Sequence, residues 1–571
     1  MRVWVLMLVP VVAWGGPVGT VTFSVNHQLA AALGVMVPDG THVITTNTLT
    51  FNGADLESFR DGAISAGGLQ LDAIPGTRRL QMSGGFTVEN PHIGYHAGKV
   101  YIVNADLMYG RHSVAMVDIV ADHATLPPPP GITPCTTNNA ATYDVALTAI
   151  DNLQQRAREA GVRVSIAPST KLFNVGTHDV PWLWSINPPR FAFAPQLGQH
   201  PYVIFNFYRL LDGVFVQIGR SDAKHAFYST NEDCDCAGAQ TIFTGCSDTY
   251  GVANNSDPYY FAPRNEINAL AGTWTSLGSH FDAVPVDDFR NHTNEVDLFT
   301  HRLVVREADL TNTVAQYFIE AWYLVQNDTN IYNTMGYRRV TPLLTNSVWQ
   351  FTTNTSLVNG PAMNAWPSRT NVAIDTGEGR VQLATATTNL GSGWFRYVFA
   401  LANHDFERQL DSISLPVSPG VIFTNAACLD GDTNALNDWS FAVTNGSATW
   451  TAPTNNALDW GTLFSFRVDA SAPPAGIDAS LGIAETGIVD AVLAPSFAPV
   501  VPVTSVIPTG TGTAEIVWST SSGSVYQVEA THDIHGAWLG VTEPVTAQSA
   551  SLSVIDTNQT VTQRFYRVRL K

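Results

Sequence analysis

The tightest local constraint in the chain is the dipeptide Asp212-Gly213, set between two apolar runs in QHPYVIFNFYRLLDGVFVQIG. A two-residue Asp-Gly loop takes positive φ at both positions, as a type I′ turn requires, and its twist matches that of paired strands. The flanking segments are therefore predicted to form an antiparallel hairpin, 203–211 against 214–220. The loop fixes the register, so that Leu211 faces Val214, Arg209 faces Val216 and Phe207 faces Ile218. Alternation then puts Phe205, Phe207, Leu211, Val214, Val216 and Ile218 on an apolar core face broken only by Arg209. Asn206, Tyr208, Leu210, Phe215, Gln217 and Ser221 take the other face, which is mixed polar and aromatic.

Composition limits what surrounds this hairpin. Only 13% of the 571 residues are charged, about half the usual share of roughly 25%. Such a mixture suits exported proteins with many strands and turns. The net charge of -19 and the lack of a basic patch argue against a nucleic-acid partner. At the N-terminus Met1-Arg2 precedes an apolar run over 3–13, too short to cross a bilayer, and Ala13-Trp14-Gly15 resembles a cleavage site. Residues 1–16 are read as a secretory signal peptide cut near Gly15 or Gly16. With no later membrane span expected, the protein is placed in the secreted or cell-surface compartment, where disulfides form.

The rest divides by punctuation. Residues 17–126 read as a β-rich region of short strands, with His92 and His96 on a loop where they make a poor metal pair. Residues 127–131 form a proline-rich linker. The central domain spans 132–340 and holds the hairpin. It also holds a predicted amphipathic helix over 140–160, with Tyr143, Leu147, Ile150, Leu153 and Ala157 at helical spacing and Gly161 at its end. Residues 341–493 alternate like a β-sandwich, 494–508 read as a linker, and 509–571 form a last module. The fold class expected is mainly β and multidomain, with β-sandwich modules and a central α+β or β domain.

Three constellations could carry chemistry. His200, Tyr208, Lys224 and His225 offer a general base and an electrophilic stabiliser, with Glu320 as the nearest carboxylate expected. His200 and His225 could also share a metal. Glu320 stands in QYFIEAWYL, where either alternation turns it to solvent or burial raises its pKa. Cys234, Cys236 and Cys246 read as disulfide partners, with Cys246 joined to Cys234 or Cys236. The competing reading, a thiolate-imidazole metal site with His225, lacks the C-x₂-C spacing of structural zinc sites. The run from Asp430 to Asp438 has the early spacing of a calcium loop, but Ala435 and Phe441 stand where Gly and Glu belong. No cofactor is specified by any motif.

Two stretches resemble known groups. AEIVWSTSSGSVYQVEAT, Trp538 and QRFYRVRL are similar to the fibronectin-III-like C-terminal modules of large exported bacterial proteins. QHPYVIFNFYRLLDGVFVQIG, KHAF, GCSDTYG, YRRV and ALDWGTLFSFRVDA, within about 175–470, resemble a group of uncharacterised secreted bacterial proteins. The resemblance implies a secreted architecture and carries no activity with it. The leading functional reading is a secreted or surface binding or structural protein, with a glycan or another extracellular polymer as partner. The alternative is a secreted hydrolase or metal-dependent enzyme centred on His200 and His225. Sequence leaves open the choice between enzyme and scaffold, and the oligomeric state.

Overall fold

The computed structural model describes residues 4–5, 19–44, 50–51, 63–66, 69–73, 79–82, 85–89, 92–96, 99–122, 142–182, 200–226, 229, 231–234, 236, 241–286, 297–418, 420–487, 489, 491–500, 504–510, 512–520, 525–533, 536–549, 551–557 and 563–570. The expected linker at 127–131 and most of the expected signal peptide lie outside the described residues. Two compact units emerge, Met1–Asp212 with Gln217–Ala365, and Gly213–Val216 with Trp366–Lys571. Both are built of strands. Among the described residues the one α-helix is His27–Leu33, capped by the Asn26 side chain and ended by Gly34 in the left-handed region.

Among the described residues the N-terminal part of the first unit holds a ten-stranded antiparallel sheet, with Gly19–Val25, His112–Asp122 and Lys99–Tyr109 as consecutive neighbours. The segment expected to be a loop around His92 and His96 is instead a strand, His92–His96, paired with Lys99–Tyr109. Positions four apart on a strand are separated by about 13 Å, so these two are not placed as a metal pair.

The central sheet closes on itself. Hydrogen-bonded neighbours run from Tyr202–Leu211 to Val214–Arg220, Leu303–Arg306, Arg163–Asn174 and Val145–Glu159. They continue through Val348–Thr353, Met335–Thr345 and Gln316–Leu324 back to Tyr202–Leu211. Eight strands thus form a ring without a free edge, which removes the unpaired backbone groups of an open sheet. The hairpin is as predicted, with Asp212 at φ 51° and Gly213 at φ 76° between its strands. Contacts across the ring identify its inside. Tyr323 and Thr170 share a hydrogen bond of 2.5 Å, and Phe207 meets Phe351 edge-on at 6.2 Å. The interior face is therefore the one carrying Phe205 and Phe207.

The outer face, mixed polar and aromatic as expected, is buried too. Seven consecutive residues from Tyr202 to Tyr208 are buried, and so are Gln217 and Ser221. Later loops cover the ring, which is why VIFNFY shows no apolar-polar alternation.

The predicted helix over 140–160 is a strand, Val145–Glu159, paired with Arg163–Asn174 along its length. Three register shifts explain the misreading, at Leu147/Ala149, Asp151/Gln154 and Gln155/Ala157. Each bulge inserts one residue, so inward positions step by three instead of two and imitate a helical period. Gly161, read as a helix stop, is the positive-φ residue of the hairpin turn that follows. Gln154 and Arg156 of this strand are buried, while Asp151 is exposed. Arg156 Nη1 donates to Ser113 O at 2.6 Å, and Gln154 Oε1 accepts from Ser113 N at 2.7 Å, docking the N-terminal sheet.

Two expected boundaries also move. Met335–Thr345 runs through residue 340 as a ring strand, so the first unit ends at Ala365. The strand Ala491–Pro499 runs into the expected linker 494–508 and pairs with Pro474–Ile483. That strand belongs to a sandwich of two five-stranded sheets in the second unit. Their faces meet where Phe399 of one sheet packs on Trp450 of the other, at 5.7 Å. Beyond it, residues 504–570 form a three-stranded and a four-stranded sheet around Ile516, Trp518, Tyr526 and Val528.

Candidate functional site

The strand Tyr202–Leu211 positions the predicted site residues, and it separates them into three places. Its start holds the histidines. Tyr202 pairs with His225 of the short strand Ala223–His225, and His200 lies two residues upstream. His200 Nε2 and His225 Nδ1 are 2.9 Å apart, a hydrogen bond between two buried imidazoles. Aromatic rings enclose the pair. Tyr202 lies 4.9 Å from both rings, and Trp274 and Phe281 lie 4.8 and 5.0 Å from His225. One nitrogen must donate and the other accept, so at least one ring N–H is committed to the pair. A cavity of about 20 Å³ beside His200, lined by Pro181, Pro201 and Val325 among others, has room for a water molecule.

Tyr208 and Glu320 meet each other elsewhere. Asn206 is opposite Glu320 in the ladder between Tyr202–Leu211 and Gln316–Leu324. Six residues separate Tyr208 from Tyr202, about 20 Å along a strand. The expected single cluster of His200, Tyr208, His225 and Glu320 is therefore two sites. Glu320 is buried and does not point to solvent. Its Oε1 accepts from Asn206 Nδ2 and Tyr208 OH, both at 2.9 Å, and its Oε2 accepts from Ala362 N at 2.6 Å. Arg264 Nη2 donates to Asn206 Oδ1 at 3.0 Å and closes the network. Burial raises the Glu320 pKa, while the three donors and Arg264 oppose the rise. Burial, then the neighbouring Glu320, holds the Tyr208 phenol well above its ordinary value. This arrangement ties the turn at Ala362 to the ring.

Lys224 points to the other side of the sheet. It pairs with Val203 and Phe261, which places it on the interior face. Its Nζ lies 3.4 Å from the centroid of the Tyr250 ring, and the residue is fully buried. Burial depresses its pKa well below that of an ordinary lysine, against the pull of Asp248 and Asp257.

The cysteines resolve in favour of disulfides. Cys234 and Cys246 are bonded at 2.04 Å, and Cys236 is also disulfide-bonded. The three sulfurs lie within 4.8 Å of one another. Oxidised sulfur is a poor ligand, so the thiolate-imidazole metal reading is set aside, and His225 is occupied with His200. Cys246 immediately precedes the strand Ser247–Tyr250, which the disulfide anchors.

Sequence reasoning missed the enclosing groups. Trp274 comes from a two-residue strand, Arg264 from a single 3₁₀ turn and Phe281 from a loop, elements too short to leave a periodic signal. A second imidazole arrangement lies close by. His301 Nδ1 sits 2.6 Å from Asp222 Oδ2, and its ring lies 5.0 Å from that of His280. Glu266 accepts from His280 N at 2.7 Å, and burial raises its pKa. At the calcium-like loop the carboxylates cap their own turns, with Asp432 Oδ1 accepting from Asn434 N at 2.6 Å.

No family model and no curated protein matches the chain. Among solved structures, the major pilin subunit of Bacillus cereus matches 48% of this chain and 77% of its own, at 8% identity and a TM-score of 0.16. At that TM-score the likeness says nothing about topology. Among the described residues no helix is long and apolar enough to cross a membrane.

Proposed function

We infer that this chain is a secreted or cell-surface scaffold, with a binding or structural role toward a glycan or another extracellular polymer. The carrying observation is how the ring spends its polar groups. Glu320 takes three internal donors, the two imidazoles bond each other inside an aromatic cage, and the neighbouring cavity is water-sized. Such groups hold the ring together and leave little for a substrate. The disulfide fits an oxidising compartment, and the signal-like N-terminus supports export. The fibronectin-III-like reading of residues 509–571 is part of this proposal, and the described residues there form a three-stranded and a four-stranded sheet.

Co-sedimentation of the purified protein with insoluble polysaccharides and isolated cell-envelope polymers tests this reading. Saturable binding that survives His225→Ala supports the scaffold. The enzyme alternative rests on the His200–His225 pair. Turnover of chromogenic glycoside or ester substrates that His225→Ala abolishes, in protein shown to be folded, would replace the scaffold with a hydrolase.

A further inference from the structure

The inside of the ring holds an amine beside two carboxylates at the end marked by Tyr250. Its geometry is over-determined. Lys224 and Tyr323 both pair with Val203 and so flank it on the interior face. Tyr323 bonds Thr170 at 2.5 Å, Thr170 is opposite Tyr250, and the Tyr250 ring lies under the Lys224 amine at 3.4 Å. Asp248 stands two residues before Tyr250 and therefore on the same face of its strand. Asp257 follows the turn whose Asn255 donates to Tyr250 O at 3.2 Å and to Thr170 Oγ1 at 3.0 Å. Lys224, Asp248, Asn255 and Asp257 are all buried. Trp182 Nε1 donates to the Tyr250 hydroxyl at 3.0 Å and fixes the floor of the site.

We propose that Lys224 and Asp248 join in an intramolecular amide bond, with Asp257 as the carboxylate that moves the proton. The Nζ lone pair adds to Cγ of Asp248 in its acid form, making the C–N bond. The C–O bond to the departing hydroxyl then breaks. The proton lost by nitrogen passes through Asp257 to that hydroxyl, and one water leaves. No electrons are exchanged and no co-reactant is needed.

Three features favour the step. Burial lowers the amine's pKa well below that of an ordinary lysine, against the pull of Asp248 and Asp257, and so favours the nucleophilic neutral form. Fixing each partner on a strand of the same sheet makes the condensation effectively unimolecular, where effective molarities reach on the order of 10⁵ M or more. A dry interior also opposes the reverse hydrolysis. Asp257 suits the proton-carrying role because it stays anchored. Its Oδ1 accepts from Tyr259 N at 3.1 Å, and its charge acts on Arg302. The bond would run from the strand beside Tyr202–Leu211 to the strand beside Arg163–Asn174, stapling the ring across its interior. This inference concerns the first unit alone and stands whether or not the polymer-binding reading holds.

Mass spectrometry of the intact, secreted protein decides it. After allowance for disulfides and the observed N-terminus, the expected mass is one water below that of the sequence. Digestion should yield a branched peptide joining Lys224 to Asp248. Lys224→Arg, which keeps a long basic side chain but forms no such amide, should restore the full mass. Asp257→Asn should slow or abolish the linkage in protein that retains its strand circular dichroism. If the wild-type protein shows the unreduced mass with both residues in linear peptides, the proposal is wrong, whatever the variants do. A branch from Lys224 to Asn254 or Asn255 with loss of ammonia would overturn the assignment to Asp248.

Discussion

Replacing Glu320 with leucine should cost the first unit about 4 kcal/mol, the mid-range difference between the donors it strands and the apolar area it buries. Asn206 Nδ2, Tyr208 OH and Ala362 N all donate to this carboxylate. A buried donor left without its acceptor costs about 1–3 kcal/mol, so three cost about 3–9 kcal/mol. Burying the leucine returns about 1.5–3 kcal/mol. Urea unfolding of the full chain, followed by tryptophan fluorescence, reads the loss. Hydrogen exchange of peptides covering 316–324 and 358–365 assigns it to the ring and the docked turn. The double variant Glu320→Leu/Tyr208→Phe removes one stranded donor and should recover about 1–3 kcal/mol relative to Glu320→Leu. A loss under about 1 kcal/mol, or no recovery in the double variant, would refute the view that this network is a tie rather than a slack surface of the sheet.

Other outcomes follow from single positions. Gly213→Val forces a β-branched residue to φ 76° and should destabilise the hairpin by about 1–3 kcal/mol; unchanged melting would mean that the loop tolerates another turn type. Cys246→Ser opens a bridge of sequence separation 12, worth about 3 kcal/mol, and should expose 241–250 to proteolysis; equal resistance in both proteins would contradict this. For Glu320 the folded pKa lies above the ordinary 4.5, so the folded state binds the extra proton. Its contribution is therefore full below pH 4.5 and is lost as pH rises through the folded value. Wild-type stability minus that of Glu320→Gln should fall with pH across that window; a difference that is flat or rises with pH would contradict the burial assigned to this carboxylate.

Legibility in the sequence followed the range of the interaction. Asp212-Gly213 specified its hairpin because the turn is local, and φ values of 51° and 76° are what such a dipeptide readily adopts. Nearness of His225 to the start of the same hairpin brought it to His200, and the disulfide followed from clustered cysteines in an exported chain. Glu320 was readable as a buried carboxylate or a solvent-facing one, because alternation cannot say whether a strand is covered on its second side. The cover comes from Arg264 and Ala362, each more than forty residues from Glu320. The cluster that joined Tyr208 to the histidines failed on length. Sharing a face does not bring residues together when six positions of strand lie between them.

The strand Val145–Glu159 shows why the largest misreading and the closed ring have one cause. Eight strands can meet end to end only if some bend sharply, and bulges are the usual means of bending a strand and increasing its twist. Here three extra residues fall within fifteen positions, one of them near Asn152 at φ 47°. Each bulge moves the inward position from every second residue to every third, so Leu147, Ile150 and Leu153 acquire the spacing of a helix while staying extended. The same phase changes bury Gln154 and Arg156 against Ser113. Curvature that closes the ring thus erases the alternation by which a strand is recognised. It also supplies the enclosed space in which Lys224, Tyr250 and Asp248 are held together.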